Sequence, residues 1–158
     1  MKRNTLIILC WIFVAGSFII SSLTNGPALQ TANGSDGSNT NNDTQLLARC
    51  VNGEARGEPY IGQVAVAAVI LNRVKHPSFP NTLSGVIYQP QAFTAVSDGQ
   101  INVPIDENSQ VYKACREAMN GSDPTGGAIY YYNPAKTTNQ WIYNRPVVKT
   151  IGKHKFAK

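Results

Sequence analysis

The sequence predicts an α+β domain, with helices first and a small antiparallel sheet or hairpin at the C-terminal end. Three observations point there. Apolar residues recur at helical spacing in TQLLARCVNG and again through GQVAVAAVILNRV. A third helical pattern, ENSQVYKACREAMNG, keeps Val111, Ala114, Cys115 and Ala118 on one face. After the turn signal SDPTGG the texture changes to aromatic and β-branched residues in AIYYYNP and RPVVKTIGKHKFA.

Taken in order, the chain opens with Lys2 and Arg3 ahead of the apolar run TLIILCWIFVAGSFII and the small residues Ser21 and Ser22. That layout is a secretory signal over residues 1–23, with a retained N-terminal membrane anchor as the alternative. Residues 24–43, TNGPALQTANGSDGSNTNND, are almost free of apolar side chains and read as a flexible polar linker. The folded unit is then residues 44–158. Asp43 or Thr44 is placed to cap the first helix, and Gly53 weakens its end. Pro59 opens the second helix, where a missing N–H costs nothing. This helix stops before Pro77 and is apolar on several sides, as a buried spine is. TLSGVIY reads as a short helix, QAFTAVSDGQIN as a structured loop, and Asp106 as the cap of the third long helix with Gly121 at its C′ position.

Net charge is +5, falling to +3 without Lys2 and Arg3. A moderately basic exported domain suits an anionic partner such as a wall polymer or a membrane surface, with solubility as the plain alternative. No basic stripe suggests nucleic acid. Cys50 and Cys115 are either a disulfide, which export would permit, or two buried thiols on amphipathic helices. His76 and His154 are the only histidines, and no HExxH, GxSxG, GxGxxG or P-loop pattern occurs. Nothing in the sequence demands a cofactor or a metal. A Cys50–His154 peptidase dyad is disfavoured because Cys50 lies on an apolar helix face.

Carboxylates remain. Asp106, Glu107, Glu117 and Asp123 fit helix starts, a solvated face and a turn, and Asp98 fits a turn beside QAFTAV. Glu54 and Glu58, in CVNGEARGEPY, have unusual backbone around them. Gly57 and Pro59 end one helix and start another, so the two carboxyls are not a matched pair on one face. Glu54 falls at the negative end of the first helix, where the protonated form is favoured. Glu58 falls at the positive start of the second, where the carboxylate is favoured. A general acid needs the first environment. Arg56 is placed to pair with either.

The stretches VNGEARGEPYIGQVAVAAVILNRV, FPNTLSGVIYQPQAFTAVSDGQI, DPTGGAIYYYNP and RPVVKTIGKHKF together resemble the catalytic domain of the SleB and CwlJ spore-cortex-lytic enzymes, within a wider family of cell wall hydrolases. The resemblance covers nearly all of residues 45–156. It implies a lysozyme-like, lytic-transglycosylase-like α+β fold acting on the glycan strands of peptidoglycan. The substrate would be spore cortex during germination or cell wall under remodelling, at a secreted or cell-envelope location. The family's catalytic acid falls on Glu54, followed by the small residue Ala55. SleB also carries a peptidoglycan-binding domain ahead of its catalytic domain and often ends on a cysteine, where this sequence ends Phe156-Ala157-Lys158. No regulatory protein partner can be named from sequence.

The reaction implied is cleavage of the N-acetylmuramate–N-acetylglucosamine β-1,4 bond with 1,6-anhydromuramate formation. This needs one catalytic carboxyl, because the sugar supplies its own nucleophile. The alternatives are a hydrolytic muramidase, with Glu58 or Asp98 positioning water, and a non-catalytic surface glycan-binding module. Sugar rings call for aromatic platforms and amide or hydroxyl partners. Phe93, Tyr131 and Trp141 are the stacking candidates, Gln63, Thr94 and Asn133 the hydrogen-bonding ones, and Glu58 a structural or substrate-orienting carboxylate. In YYY, either Tyr131 or the pair Tyr130 and Tyr132 faces inward.

Overall fold

The computed structural model describes residues 36–158. The signal or anchor segment and most of the polar linker lie outside the described residues. Five α-helices come first: α1 (Asp36–Ala55), α2 (Tyr60–Lys75), α3 (Leu83–Ile87), α4 (Thr94–Ser97) and α5 (Gln110–Met119). A three-stranded antiparallel sheet follows, built from β1 (Tyr130–Tyr132), β2 (Val147–Ile151) and β3 (His154–Ala157) in the order β1-β3-β2. Single 3-10 turns at Gln100–Asn102 and Gln140–Asn144 complete the elements of the described residues.

As its sequence requires, α2 is the spine. Every residue from Gly62 to Ile70 is buried, and the side chains of α1, α3 and α5 pack around it. A helix apolar on all sides survives in water only if other elements cover every side. Cys50 and Cys115 are both free thiols, and both are buried in this core. A second, smaller apolar cluster of Tyr130, Tyr132, Ile142 and Ala157 lies on the sheet, with Phe79 and Trp141 against it.

Two helix starts differ from expectation. α1 begins at Asp36 rather than at a cap on Asp43 or Thr44. Thr44 instead sits inside the helix with its hydroxyl donating to the Thr40 carbonyl at 2.7 Å. Tertiary contact holds the added turns, since the Tyr112 hydroxyl of α5 bonds Asn41 Oδ1 at 2.7 Å. α5 is capped by Ser109, whose Oγ accepts from the Tyr112 N–H, while Asp106 closes a tight turn by accepting from the Asn108 N–H. Gly121 follows α5 with φ of 100°, as a C′ glycine does. The segment read as a loop before it holds α4 and a 3-10 turn.

A hydrogen bond from the β2–β3 turn ties the sheet to the helices where the cleft forms. Glu58 precedes Pro59 at the start of α2, and its Oε2 accepts from the Lys153 N–H at 2.8 Å. Lys153 and Gly152 form the β2–β3 turn. Gly152 has φ of +57°, and any Cβ there would strike the Glu58 carboxylate. Glycine is therefore required twice over, by the left-handed backbone and by the approaching carboxyl. His154, the next residue, places Nδ1 3.9 Å from Glu58 Oε1, too far for a hydrogen bond. Its ring meets Tyr131 edge to face, with centroids 5.3 Å apart.

Burial holds His154 below the ordinary value of 6.5, and the nearby Lys136 and Lys153 charges push the same way against the opposing pull of Glu58. The folded protein thus resists protonating a group that the unfolded chain protonates readily. Stability is expected to be intact above about pH 6.5 and to fall progressively as pH drops from there through the lowered folded value. Urea unfolding at a series of pH values tests this. A His154→Gln variant should lose that part of the slope, and an unchanged slope would contradict it.

Candidate active site

An open cleft of about 520 Å³ runs between the end of α1, the α4 segment and the sheet. Glu54 lies in it, in the last turn of α1. Its Oε1 accepts from the Ala95 N–H at 3.0 Å, and its Oε2 accepts from the Tyr131 hydroxyl at 3.2 Å. One carboxyl is thus held by donors from two elements far apart in sequence. Gly53 makes the first contact feasible: a Cβ at this position would lie 2.5 Å from Ala95 Cβ. The glycine read as a weak helix end is a close-approach glycine that lets α4 reach Glu54.

Glu58 also borders the cleft, but its side chain is only 6% exposed and is turned to the hairpin. Asp98 borders it with both oxygens engaged, accepting from the Gln100 N–H at 3.1 Å and from Gln100 Nε2 at 2.9 Å. Arg56 pairs with neither glutamate and donates to Gln100 Oε1 at 3.2 Å. The positions of Glu54 and Glu58, at the end of one helix and the start of the next, are as the sequence predicts.

Among the expected glycan contacts, Thr94, Tyr131, Asn133 and Trp141 line the cleft. Tyr130 and Tyr132 face the smaller apolar cluster, which leaves Tyr131 to face Glu54. Gln63 and Phe93 are corrections. Gln63 is 3% exposed and donates to the Glu58 carbonyl at 3.1 Å, because it points back along the first turn of α2. Phe93 is 3% exposed and packs under the Arg73 guanidinium, with 5.4 Å from its centroid to Cζ. Neither borders the cleft, since the core absorbs both side chains. Cys50 is buried in the main core, and burial, reinforced by Glu54, raises its thiol well above the ordinary value. It has no nucleophilic partnership with His154, which borders the cleft.

Sequence reasoning missed Arg73 and the backbone of Ala95 and Lys153. A lone arginine inside the apolar run VAVAAVILNRV was the available signal for the first. Backbone donors leave no residue-type signal at all. Among the described residues, no group of three or more His, Cys, Asp or Glu side chains is arranged to hold a metal ion.

Comparison with known proteins supplies the lineage. A family model described as Cell Wall Hydrolase matches residues 57–157. The spore cortex-lytic enzyme of Bacillus cereus is 62% identical over 117 residues, covering 74% of this chain and 44% of that protein. The chain thus spans less than half the length of that relative. Cell wall hydrolase CwlJ of Bacillus subtilis is 31% identical over 123 residues, which cover 74% of this chain and 85% of that protein. The solved catalytic domain of the germination-specific lytic transglycosylase SleB from Bacillus anthracis is 61% identical with a TM-score of 0.71, and the match covers 74% of this chain and 94% of that one. Its helices and small antiparallel sheet are the architecture seen here. By sequence and by fold, the chain belongs to the cell wall hydrolase family.

Proposed function

We propose that the protein is a lytic transglycosylase that cleaves the N-acetylmuramate–N-acetylglucosamine β-1,4 bond of peptidoglycan. One observation carries the reading. Glu54 is held in the open cleft by the Ala95 N–H and the Tyr131 hydroxyl, while the Glu58 side chain is only 6% exposed and turned to the Lys153 N–H, and Asp98 is folded back onto Gln100. A hydrolase of the usual kind needs a second carboxylate free to act on water or on the sugar. A transglycosylase needs one.

In this reaction Glu54 gives its proton to the leaving glycosidic oxygen as the C1–O bond breaks. The muramate C6 hydroxyl attacks C1, and Glu54 takes the proton from that hydroxyl as the 1,6-anhydro ring closes. Acid and base are one carboxyl used twice, and no water is consumed. Tyr131 fixes the orientation of the carboxyl. Thr94 and Asn133 offer hydrogen bonds to sugar hydroxyls and Trp141 an apolar face to a ring. Glu58 serves the reaction through the hairpin it holds.

Kinship with spore cortex-lytic enzymes and with a germination-specific transglycosylase favours the spore cortex, at a cell-envelope location, as the site of action. Delivery there by residues 1–23, as a cleaved signal or a membrane anchor, belongs to the same proposal, as does the division into a polar linker and a catalytic unit.

Digestion of purified peptidoglycan with the full chain should release muropeptides ending in anhydromuramate. Reducing-end products one water heavier would overturn the transglycosylase reading in favour of a muramidase, and no release would favour a glycan-binding module. Glu54→Gln should lower the rate at least about a hundredfold, as loss of a general acid does. Gly53→Ala is expected to force α4 outward, with about 1–3 kcal/mol lost in urea unfolding and a reduced turnover. Unchanged turnover in that variant would show that the Ala95 contact does not matter to Glu54.

A further inference from the structure

Among the described residues Arg73 is the most deeply buried charged side chain. It is 2% exposed, stands in the last turn of α2, and borders the same cleft as Glu54. Nε donates to the Ile129 carbonyl at 2.7 Å. The guanidinium carbon lies 5.3 Å from the Phe79 centroid, 5.4 Å from Phe93 and 5.9 Å from Tyr130. Nη1 is buried with no acceptor. Among the described residues no carboxylate lies within ion-pair distance of Arg73.

Arginine does not shed its proton to escape burial. A buried charge is costly unless an opposite charge or a full set of hydrogen bonds meets it. The helix end, one carbonyl and three ring faces supply partial negative charge, yet Nη1 is left without a partner. A guanidinium held rigidly beside a cleft with spare donors is matched in shape and charge by a carboxylate. We propose that Arg73 forms a subsite for a carboxylate carried by the glycan strand. Two groups on a muramyl unit have that chemistry: the free lactyl carboxylate, and the terminal carboxylate of a peptide attached to it. The inference rests on the reading of the cleft as a glycan site and adds a charge requirement to it.

The test uses the full-length Glu54→Gln protein, so that ligands bind without turnover. N-acetylglucosaminyl-N-acetylmuramic acid and its neutral methyl ester are titrated calorimetrically, then the same disaccharide carrying amide-linked alanine and its methyl ester. At least one acid should bind about tenfold or more tightly than its ester, and the pair showing the preference identifies the source. Adding Arg73→Gln should bring acid and ester within about twofold. Equal binding of acid and ester in both pairs would overturn the proposal. So would a preference that survives Arg73→Gln, since it would belong to Arg56, Lys136 or Lys153. If the double variant does not fold, the Arg73 guanidinium NMR signals decide. A shift with acid and none with ester supports the subsite, and no shift with either overturns it. Esters that bind without an acid preference would remove Arg73 alone. Failure of every ligand to bind would remove the glycan reading as well.

Discussion

The hydrogen bond from the Lys153 N–H to Glu58 is the contact on which the rest of the cleft depends. It joins residues 95 positions apart and pins the β2–β3 turn to the first turn of α2. β3 leaves that turn, and β1 is paired to β3 with Tyr131 opposite Phe156. The position of Tyr131 is therefore inherited from the position of the turn. Burying a carboxylate in this way is favourable only while its donors are present, and removing one costs about 1–3 kcal/mol. The side chain of Glu58 consequently acts as a fixed post, with Gly152 shaped to fit against it.

Glu54 is assembled by the same logic from the opposite side. Gly53 admits α4 closely enough for the Ala95 N–H to reach one carboxylate oxygen, and the sheet delivers the Tyr131 hydroxyl to the other. Helices thus supply the Glu54 carboxyl and one of its donors, and the sheet supplies the second donor. Two glycines set the spacing, one on each side. The cleft lies at the seam between helices and sheet because only there do the two layers present groups to each other.

Much of this was legible in the chain. The breaks at Gly57 and Pro59 separated Glu54 from Glu58, and the apolar texture of α2 marked it as the spine. The change to aromatic and β-branched residues marked the sheet. What stayed hidden has physical causes. Capping propensity placed the start of α1 at Asp43 or Thr44, but packing of Asn41 against Tyr112 extends the helix to Asp36. Gln63 and Phe93 have the right chemistry for sugar but are turned inward by the first turn of α2 and by Arg73. Alternation along YYY allowed two orientations, and only pairing with β3 selects the one that presents Tyr131 to Glu54. Backbone donors such as Ala95 and Lys153 are invisible to residue-type reasoning.

The central claim is that Glu58 serves catalysis by holding Tyr131 against Glu54, without touching the reacting sugar. A double-mutant cycle on turnover number with Glu58→Gln and Tyr131→Phe tests it most directly. The account expects each single change to lower kcat with little change in KM, and the double variant to be scarcely worse than the poorer single one. Independent losses that multiply in the double variant, or a Glu58→Gln effect confined to KM, would contradict it.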